Sequence, residues 1–266
     1  SFLTPHYICL NHVRAKKKIA WIHTDYSTID IDVEVELEMW KLYDYIATIS
    51  EKCTEAFLER FPALENKIIA IDNIITNDMI EKQAEQSIDW EFGTSRDIKL
   101  LSIGRFCYPK NFDNIPRICK YIYEKGIEVK WYLIGFGGDE ILIKDNIKKY
   151  GMDGKVIILG KKDNPYPYIK NCDIYIQPSR YEGKAVTVRE AQILHKPVII
   201  TDFPTAHSQL TDGYDGVIVP LGNKECADGI IKVIKDSALQ NKLIENMKRT
   251  HYSNADEVEK IYQLTE

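Results

Sequence analysis

The sequence of 266 residues lacks several features that would place it in a specialised class of protein. Its six cysteines form no CxxC pair and show no metal-ligand spacing, so they indicate reduced, buried thiols of a cytosolic protein. No run approaches the roughly 18 continuous apolar residues that a membrane span requires, and no signal peptide is visible. Internal repeats and low-complexity tracts are also missing. The net charge of −5 gives no basic field for binding nucleic acid.

What is present is typical of a soluble α/β protein. Apolar residues make up 44% and charged residues 28% of the chain, whose length is sufficient for two modest domains. Strand-like and helix-like patterns alternate along both halves, which predicts parallel sheets. We therefore predict a partial Rossmann-like first domain with its linker over 1–92, a second Rossmann-like domain over 93–249 and a C-terminal helix over 250–266. The linker is placed at the polar segment 76–96.

The stretch after the predicted strand 172–177 carries the densest chemistry. Its loop begins at Pro178, contains Glu182 and leads into a helix predicted over 188–195, and a further strand follows over 197–201. In a doubly wound sheet such a loop lies at the carboxyl edge, where ligands bind. Backbone N–H groups at the start of the helix, together with the helix dipole, favour an anion at this place.

Two carboxylates flank this turn, but their interpretations differ. Thr187 and Glu190 have the spacing of a capping box, in which Thr187 bonds the amide at N3 and Glu190 reaches back, so Glu190 has a purely structural explanation. Glu182 precedes a glycine in the loop, where no structural role requires a carboxylate. A free carboxylate beside an anion-binding turn suits the hydroxyl groups of a neutral polyol. These features together predict a ligand that combines a sugar with phosphate.

Two cations follow the first strand predicted for the second domain. Arg105 and Lys110 lie in the loop 104–111, which reaches the same carboxyl edge. Fixed cations near a helix N-terminus are what a pyrophosphate leaving group needs when no metal is present. The alternative is a solvated loop in which Asn111 caps the next helix.

Other candidates have weaker patterns. Gly135-Phe136-Gly137 follows the next strand but does not match GxGxxG, so it gives no support to a dinucleotide-binding oxidoreductase. A tight turn in which Asp139 caps a helix is an equal alternative. His23 ends a strand of the first domain, where a polar edge residue is the ordinary interpretation. The basic run 14–18 is most often a solvated loop, with contact to an anionic membrane surface as the alternative.

Together these stretches resemble the retaining, nucleotide-sugar-dependent glycosyltransferases of family 4 (glycosyl transferases group 1), which have the GT-B fold. The matching pieces, in the family's order and spacing over 97–220, are Gly104-Arg105 with Lys110, Gly135-Phe136-Gly137, the segment 173–179, Glu182-Gly183 with Glu190, Lys196-Pro197-Val198-Ile199 and Asp215-Gly216-Val217-Ile218-Val219-Pro220. The loop that starts at Glu182 is similar to that of the bacterial capsule and exopolysaccharide branch. A weaker similarity extends over 18–75.

The resemblance implies a role for each candidate. Arg105 and Lys110 would hold the donor diphosphate and stabilise the departing nucleotide, Glu182 would bind hydroxyls of the donor sugar, and His23 would contact that sugar from the first domain. The implied donor-binding residues are Gly104, Gly135, Gly160 and Lys161 of the turn that meets the base, Gly183, the amides of Lys184, Ala185, Val186 and Thr187 around the distal phosphate, and Glu190 on the ribose.

The same resemblance implies the reaction and its partners. A hexose would be transferred with retention of configuration from a nucleoside-diphosphate sugar, with a UDP-sugar favoured, to a saccharide or lipid-linked acceptor in surface polysaccharide synthesis. Neither a metal nor a cofactor is expected, and no covalent residue is assignable. The location implied is cytoplasmic, with peripheral contact at the inner membrane face left open.

Departures from the family pattern bear on activity. The commoner loop has Phe-Gly where this chain has Lys184-Ala185, so the backbone approaches a ligand less closely and a cation is added. The family's first domain also begins with several strands, including a glycine-rich acceptor loop, that residues 1–92 do not contain. We therefore expect this chain to bind nucleotide sugar weakly and to turn it over slowly or not at all. A sugar-nucleotide epimerase of the same fold and a non-catalytic nucleotide-sugar binding module are the alternatives.

Overall fold

The computed structural model describes residues 3–23, 26–88, 92 and 97–265. Its strands are β1 Ile19–Ile22, β2 Tyr45–Thr48, β3 Ile68–Ala70, β4 Ile98–Ile103, β5 Val129–Ile134, β6 Val156–Gly160, β7 Ile174–Gln177, β8 Val198–Thr201 and β9 Val217–Val219. Its α-helices are α1 Thr4–His12, α2 Val33–Trp40, α3 Glu51–Arg60, α4 Asn77–Ala84, α5 Ile115–Glu124, α6 Glu140–Tyr150, α7 Tyr166–Asn171, α8 Val186–Ile193, α9 Ala206–Gln209, α10 Asn223–Lys235, α11 Ser237–Arg249 and α12 Glu257–Thr265. Strands and helices alternate, as the sequence patterns predict.

The chain divides into two compact units, of which the first comprises Ser1–Thr76 and Ser253–Glu266. Its sheet has the order β1-β2-β3 with parallel pairing throughout. An aromatic core covers this sheet, in which the fully buried rings of Tyr26, Trp40 and Phe57 meet edge to face. Such contacts stabilise a core beyond the burial of apolar area alone.

The C-terminal helix packs within this first unit. Lys260 Nζ in α12 donates a hydrogen bond to Ala70 O at 3.2 Å. Leu264 is buried in a small apolar cluster that includes Ile71. Most of the segment 250–266, predicted as a separate C-terminal helix, therefore belongs to the first unit, from Ser253 onwards, where Leu264 packs against Ile71.

The second unit, Asn77–Tyr252, is a doubly wound domain. Its sheet has the order β6-β5-β4-β7-β8-β9, and every pair is parallel. Alternate strand residues enter two separate buried clusters, one on each face. The strand order reverses between β4 and β7, and such a switch point leaves a crevice at the carboxyl ends of the strands. The loops after β4 and β7, which carry the predicted site, both begin at this crevice.

A buried polar chain holds the central strands together beneath the crevice. Trp131 Nε1 of β5 donates to Ser102 Oγ of β4 at 2.9 Å, and Ser102 Oγ donates to Ile176 O of β7 at 2.6 Å. Because unpaired buried polar groups are costly, this chain favours one arrangement of the three strands. It thereby fixes where the two site loops start.

The boundary between the units differs from the one predicted after residue 92. Helix α4 belongs to the second unit, because Ile80 and Ala84 are buried and the helix packs against α7 and α8. The change of unit falls inside the predicted linker 76–96, part of which lies outside the described residues.

The turn Gly135-Phe136-Gly137 is held by backbone contacts with the loop that follows β4. Phe106 N donates to Phe136 O at 2.8 Å, and Asp139 N donates to Phe106 O at 3.0 Å. Gly135 has a φ of 149°, and a Cβ placed there would lie 1.9 Å from Gly104 O. Glycine is therefore needed for the close approach of two loops. The side-chain cap predicted at Asp139 is wrong, because α6 begins there without a side-chain capping bond.

Replacing Gly135 should destabilise the protein. In Gly135→Ala the methyl group would overlap Gly104 O, and the positive φ adds strain, so we expect a loss on the order of 3 kcal/mol in the free energy of unfolding. Gly138→Ala is the matched control, because no atom lies within 4 Å of its added Cβ. Urea unfolding measures both, and equal midpoints for the two variants would contradict the assigned role of Gly135.

Candidate functional site

Residues 104–111, here termed the cation loop, follow β4 at the switch point. Lys110 Nζ donates to Glu182 Oε1 at 2.6 Å, and the lysine side chain is 23% exposed. Arg105 is exposed, and within the described part of the chain its guanidinium makes no hydrogen bond or ion pair. The two predicted cations therefore differ: Lys110 already has a carboxylate partner, whereas Arg105 is open to an anion.

Asn111 ties the cation loop to the loop after β7. Its backbone is left-handed, with a φ of 62°, and its buried Nδ2 donates to Pro178 O at 2.8 Å. The chain makes two 3-10 turns after Cys107, so α5 begins only at Ile115. Asn111 therefore precedes the 3-10 turn Phe112–Asn114 as its N-cap residue, but it makes no side-chain capping bond there.

Residues 178–185, here termed the carboxylate loop, follow β7 and present Glu182. Three donors converge on its Oε1, namely Lys110 Nζ and Ser179 Oγ at 2.6 Å and Gln177 Nε2 at 3.0 Å. Only 9% of this side chain is exposed. A carboxylate so far removed from water requires such donors to replace its lost hydration.

The second oxygen of Glu182 is left for another partner. Among the residues that the structure describes, none donates a hydrogen bond to Oε2. A carboxylate accepts about four hydrogen bonds, so Oε2 can receive hydroxyl groups of a ligand. The expectation of a free carboxylate is thus wrong for one oxygen: Oε1 accepts hydrogen bonds from the protein, whereas Oε2 remains available to a ligand.

Gln177 connects Glu182 with the start of α8. It ends β7 and is fully buried, and its Oε1 accepts from Tyr175 OH at 2.8 Å and from Thr187 Oγ1 at 3.3 Å. Its Nε2 donates to Ser179 Oγ and to Glu182 Oε1, so the whole amide is engaged. Gln177 and Ser179 are missing from the residues predicted from sequence, although a polar side chain at the end of an apolar strand is a signal that points to Gln177.

The capping box predicted for Thr187 and Glu190 is wrong. Helix α8 begins at Val186, two residues earlier than a capping Thr187 requires, and its N-cap, Ala185, makes no side-chain bond. Glu190 Oε1 instead accepts from Tyr166 OH of α7 at 3.1 Å. Glu190 therefore does not serve as a helix cap, which favours its interpretation as a ligand-binding carboxylate.

Partial burial affects the ionisation of Glu190. Burial raises the pKa of this carboxyl group, and the hydrogen bond from Tyr166 partly offsets that rise. No further hydrogen bond to the carboxylate of Glu190 is found in the described residues, so its Oε2 resembles that of Glu182 in being open to a hydroxyl donor.

The amides at the start of α8 are fewer than the sequence predicts. Ala185 N donates to Gln209 Oε1 at 2.9 Å, and Gln209 Nε2 donates to Gly183 O at 3.0 Å. This buried glutamine, which no local sequence pattern indicates, braces the carboxylate loop and occupies one of the predicted phosphate-binding amides. Val186 and Thr187 lie at the first two positions of the helix, whose N–H groups have no intrahelical partner.

The remaining predicted residues occupy three places. Gly160 ends β6, its carbonyl accepts Gly135 N at 2.9 Å, and Lys161 after it forms an exposed ion pair with Asp163 at 3.5 Å. Gly183 and Lys184 lie on the exposed side of the carboxylate loop. His23 follows β1 in the first unit, where it is exposed and stacks on Trp21 at a centroid distance of 6.5 Å. Its predicted contact with the sugar stays a prediction.

The described residues provide neither a membrane-spanning helix nor a cluster of metal ligands. None of their helices combines the length and the apolar character needed to cross a bilayer. Within the same residues, no group of three or more His, Cys, Asp and Glu side chains is arranged to hold a metal ion.

Comparison with known proteins gives this geometry a context. Residues 85–250, more than half of the chain, match the protein family described as Glycosyl transferases group 1. The chain is 26% identical over 219 residues to the N-acetylgalactosamine-N,N'-diacetylbacillosaminyl-diphospho-undecaprenol 4-alpha-N-acetylgalactosaminyltransferase of Campylobacter jejuni, covering 81% of this chain and 57% of that protein. It is 28% identical over 149 residues to the capsular polysaccharide biosynthesis glycosyltransferase CapM of Staphylococcus aureus, covering 55% and 39%. The chain thus spans less than two thirds of the length of these relatives.

A solved structure supports the fold. HepE of Anabaena in complex with UDP and glucose superposes with a TM-score of 0.74 at 16% identity, over 93% of this chain and 70% of that one. The predicted α/β fold of the GT-B type, built from parallel-sheet units, is confirmed.

Neutralising Glu190 should not cost stability near neutral pH. Because its folded pKa is raised above the unfolded value, the native protein binds this proton more tightly, and stability falls as pH rises from the unfolded pKa through the folded pKa. Glu190→Gln keeps an acceptor for Tyr166 and removes the charge. We expect its melting temperature to equal or exceed that of the unchanged protein near pH 7.5, with the difference shrinking at about pH 4.

The matched control for this prediction is Glu245→Gln, an exposed residue of α11. Its hydrogen bond with Lys248 lowers the pKa of Glu245, so removing that charge should not raise the melting temperature near pH 7.5. A Glu190→Gln protein that melts clearly below the unchanged protein near pH 7.5 would contradict the assigned burial cost.

Proposed function

Because the chain belongs to the glycosyl transferases group 1 family, we propose that its second unit is the donor-binding half of a retaining hexosyltransferase that uses a nucleoside-diphosphate sugar. The observation that carries this proposal is Glu182, whose Oε1 is held by Lys110 while Oε2 is left for a ligand. A carboxylate oxygen suits a sugar hydroxyl, and an adjacent ammonium suits a phosphate. The two groups lie together at the switch point, where such a ligand would bind.

The two cations would act on the diphosphate. Lys110 has three N–H donors, so it can keep Glu182 and still donate to a phosphate oxygen. Arg105 can offer its guanidinium in a bidentate contact. Both charges would stabilise the negative charge that develops on the departing nucleotide, which is why we propose a metal-independent transfer.

The nucleoside would bind along the start of α8. The amides of Val186 and Thr187 would bind the distal phosphate at the positive end of the helix dipole. Glu190 would accept the ribose hydroxyls through the oxygen that Tyr166 does not use. The turn at Gly160 and Lys161 would meet the base. A UDP-sugar is the favoured donor, since UDP and glucose occupy the structurally similar HepE.

Transfer would proceed with retention and without a covalent intermediate. Oε1 of Glu182 is already engaged by three donors, which suits an orienting role better than that of a nucleophile. In this proposal the acceptor attacks from the face that the diphosphate leaves, and the leaving phosphate takes up the acceptor's proton. His23 of the first unit would contact the donor sugar.

The acceptor we propose is a saccharide or a lipid-linked saccharide of surface polysaccharide synthesis. The names of the Campylobacter and Staphylococcus relatives refer to a diphospho-undecaprenol acceptor and to capsular polysaccharide. The basic run offers a peripheral contact with an anionic cytoplasmic leaflet. Lys17 Nζ and Lys18 Nζ donate to the neutral carbonyls of Leu264 and Leu10, so their charges are not cancelled there, and each would contribute about 1 kcal/mol.

A nucleotide panel tests the donor directly. We expect one class among UDP-, GDP-, ADP- and dTDP-sugars to raise the melting temperature of the whole chain by mass action. Glu182→Gln should lower the affinity for the sugar nucleotide about tenfold more than the affinity for the corresponding nucleoside diphosphate. The reason is that a hydrogen bond to a charged group is worth about 1.5–3 kcal/mol. Glu245→Gln, on an exposed face of α11, serves as the charge control.

Three outcomes separate the candidate functions. No stabilisation by any nucleotide, or equal weakening of the sugar nucleotide and the diphosphate by Glu182→Gln, would contradict the proposed donor site. Conversion of the donor without an acceptor would identify an epimerase instead. Binding without turnover by the complete protein, unaffected by Glu182→Gln, would identify a non-catalytic binding module.

A further inference from the structure

Arg180 joins the carboxylate loop, in which it lies, to the cation loop through both its side chain and its backbone. Its Nη1 and Nη2 donate to Asp113 Oδ1 and Oδ2 at 2.9 Å and 2.8 Å in a bidentate ion pair. Nη1 also donates to Tyr108 O, and the backbone N of Arg180 donates to Pro109 O at 2.8 Å. The guanidinium carbon lies 4.1 Å from the centroid of the Tyr108 ring.

These contacts surround Lys110 in the chain. Tyr108 and Pro109 precede it, and Asp113 follows it just after the cation loop. Arg180 therefore holds the chain on both sides of Lys110, with its backbone N on Pro109 and its side chain on Tyr108 and Asp113. Arg180 itself lies two residues before Glu182. The contacts of Arg180 therefore link the segments that carry Lys110 and Glu182. The ion pair between these two residues, 2.6 Å between Lys110 Nζ and Glu182 Oε1, defines the candidate site.

Arg180 is poorly placed to bind a phosphate itself. Its side chain is 15% exposed and that of Asp113 is 16%, and the two charges are paired with each other. One terminal nitrogen is shared between a carboxylate and a carbonyl, and the ring of Tyr108 covers a face of the guanidinium. Arg105 has none of these commitments. Three of the five side-chain N–H donors of Arg180 bond protein atoms, so this residue acts chiefly through the groups to which it is bonded.

We propose that Arg180 is a positioning residue, which sets the place of Lys110 relative to Glu182 and so makes the cation loop competent to hold the terminal phosphate of a nucleoside diphosphate. This inference rests on the proposed donor site. Lysine cannot replace arginine fully, because a single ammonium cannot form the bidentate pair and the stacked contact at once. Loss of the Arg180 contacts displaces Lys110 but leaves its side chain present.

The test compares a diphosphate with a monophosphate, UDP with UMP, by calorimetry on the full chain. In Arg180→Ala the affinity for UDP should fall by about 10- to 100-fold, the size of the loss of one hydrogen bond between charged groups, while the affinity for UMP stays within about twofold. Asp113→Asn and Arg180→Lys should give smaller losses of the same kind. These two milder variants carry the test if Arg180→Ala does not fold.

Arg117→Ala is the matched control. Arg117 is an exposed arginine of α5, beyond the cation loop, and its side chain bonds only Tyr121 among the described residues. Its removal changes the net charge by the same amount and should leave the UDP-to-UMP affinity ratio unchanged. A general loss of folding would weaken both nucleotides together, whereas the proposed role weakens the diphosphate selectively.

The possible results are distinct. Arg180 variants that keep the UDP-to-UMP ratio of the unchanged protein, or lose both affinities equally, overturn the positioning role while the donor site stands. The wild-type protein could instead bind UMP and UDP equally, with no other diphosphate of the panel preferred. That result would contradict the proposed donor site, and with it this inference.

Discussion

The candidate site depends on one buried acceptor, Oε1 of Glu182. Its three donors come from the end of β7, from the carboxylate loop itself and from the cation loop after β4. A carboxylate that is nearly excluded from water is stable only with such compensation, so the donors and the acceptor constrain one another. The parallel sheet makes this possible, because β4 and β7 are neighbours whose carboxyl ends open at the same crevice.

The groups that remain unpaired around this acceptor describe a ligand. Within the described residues these are Oε2 of Glu182, the guanidinium of Arg105 and the first amides of α8. The first suits a hydroxyl, and the other two suit phosphate oxygens. Groups that the same loops do pair, such as the Ala185 amide and the guanidinium of Arg180, serve the shape of the loops instead. The polar groups that are paired within the protein shape the loops, and those without a protein partner are available to bind a ligand.

Much of this arrangement is predictable from sequence, and the failures have physical causes. Alternating strand and helix patterns place Arg105, Lys110 and Glu182 at one sheet edge, and the structure brings Lys110 and Glu182 into contact. Thr187 and Glu190 match a capping box, but their side chains bond Gln177 and Tyr166 instead, and the helix starts two residues earlier. Local spacing cannot reveal such a competition between a cap and tertiary partners.

Long-range contacts account for the other gaps. Gln209 reaches the carboxylate loop from 26 positions further along the chain, and Arg180 reaches Asp113 from 67 positions away. No local sequence pattern around Gln209 or Arg180 predicts the partner of either residue. The start of the second unit is another long-range feature, because α4 is polar in sequence yet buries Ile80 and Ala84 in that unit.

The central claim is that the protein holds one oxygen of Glu182 and leaves the other for the donor sugar. A crystal structure of the chain with its preferred nucleoside-diphosphate sugar tests this most directly. The account predicts a sugar hydroxyl within about 3.2 Å of Oε2, with Lys110, Ser179 and Gln177 still bonded to Oε1 and a diphosphate oxygen on Arg105. A sugar bound away from Glu182, or a carboxylate that has released its three donors to reach the ligand, would contradict it.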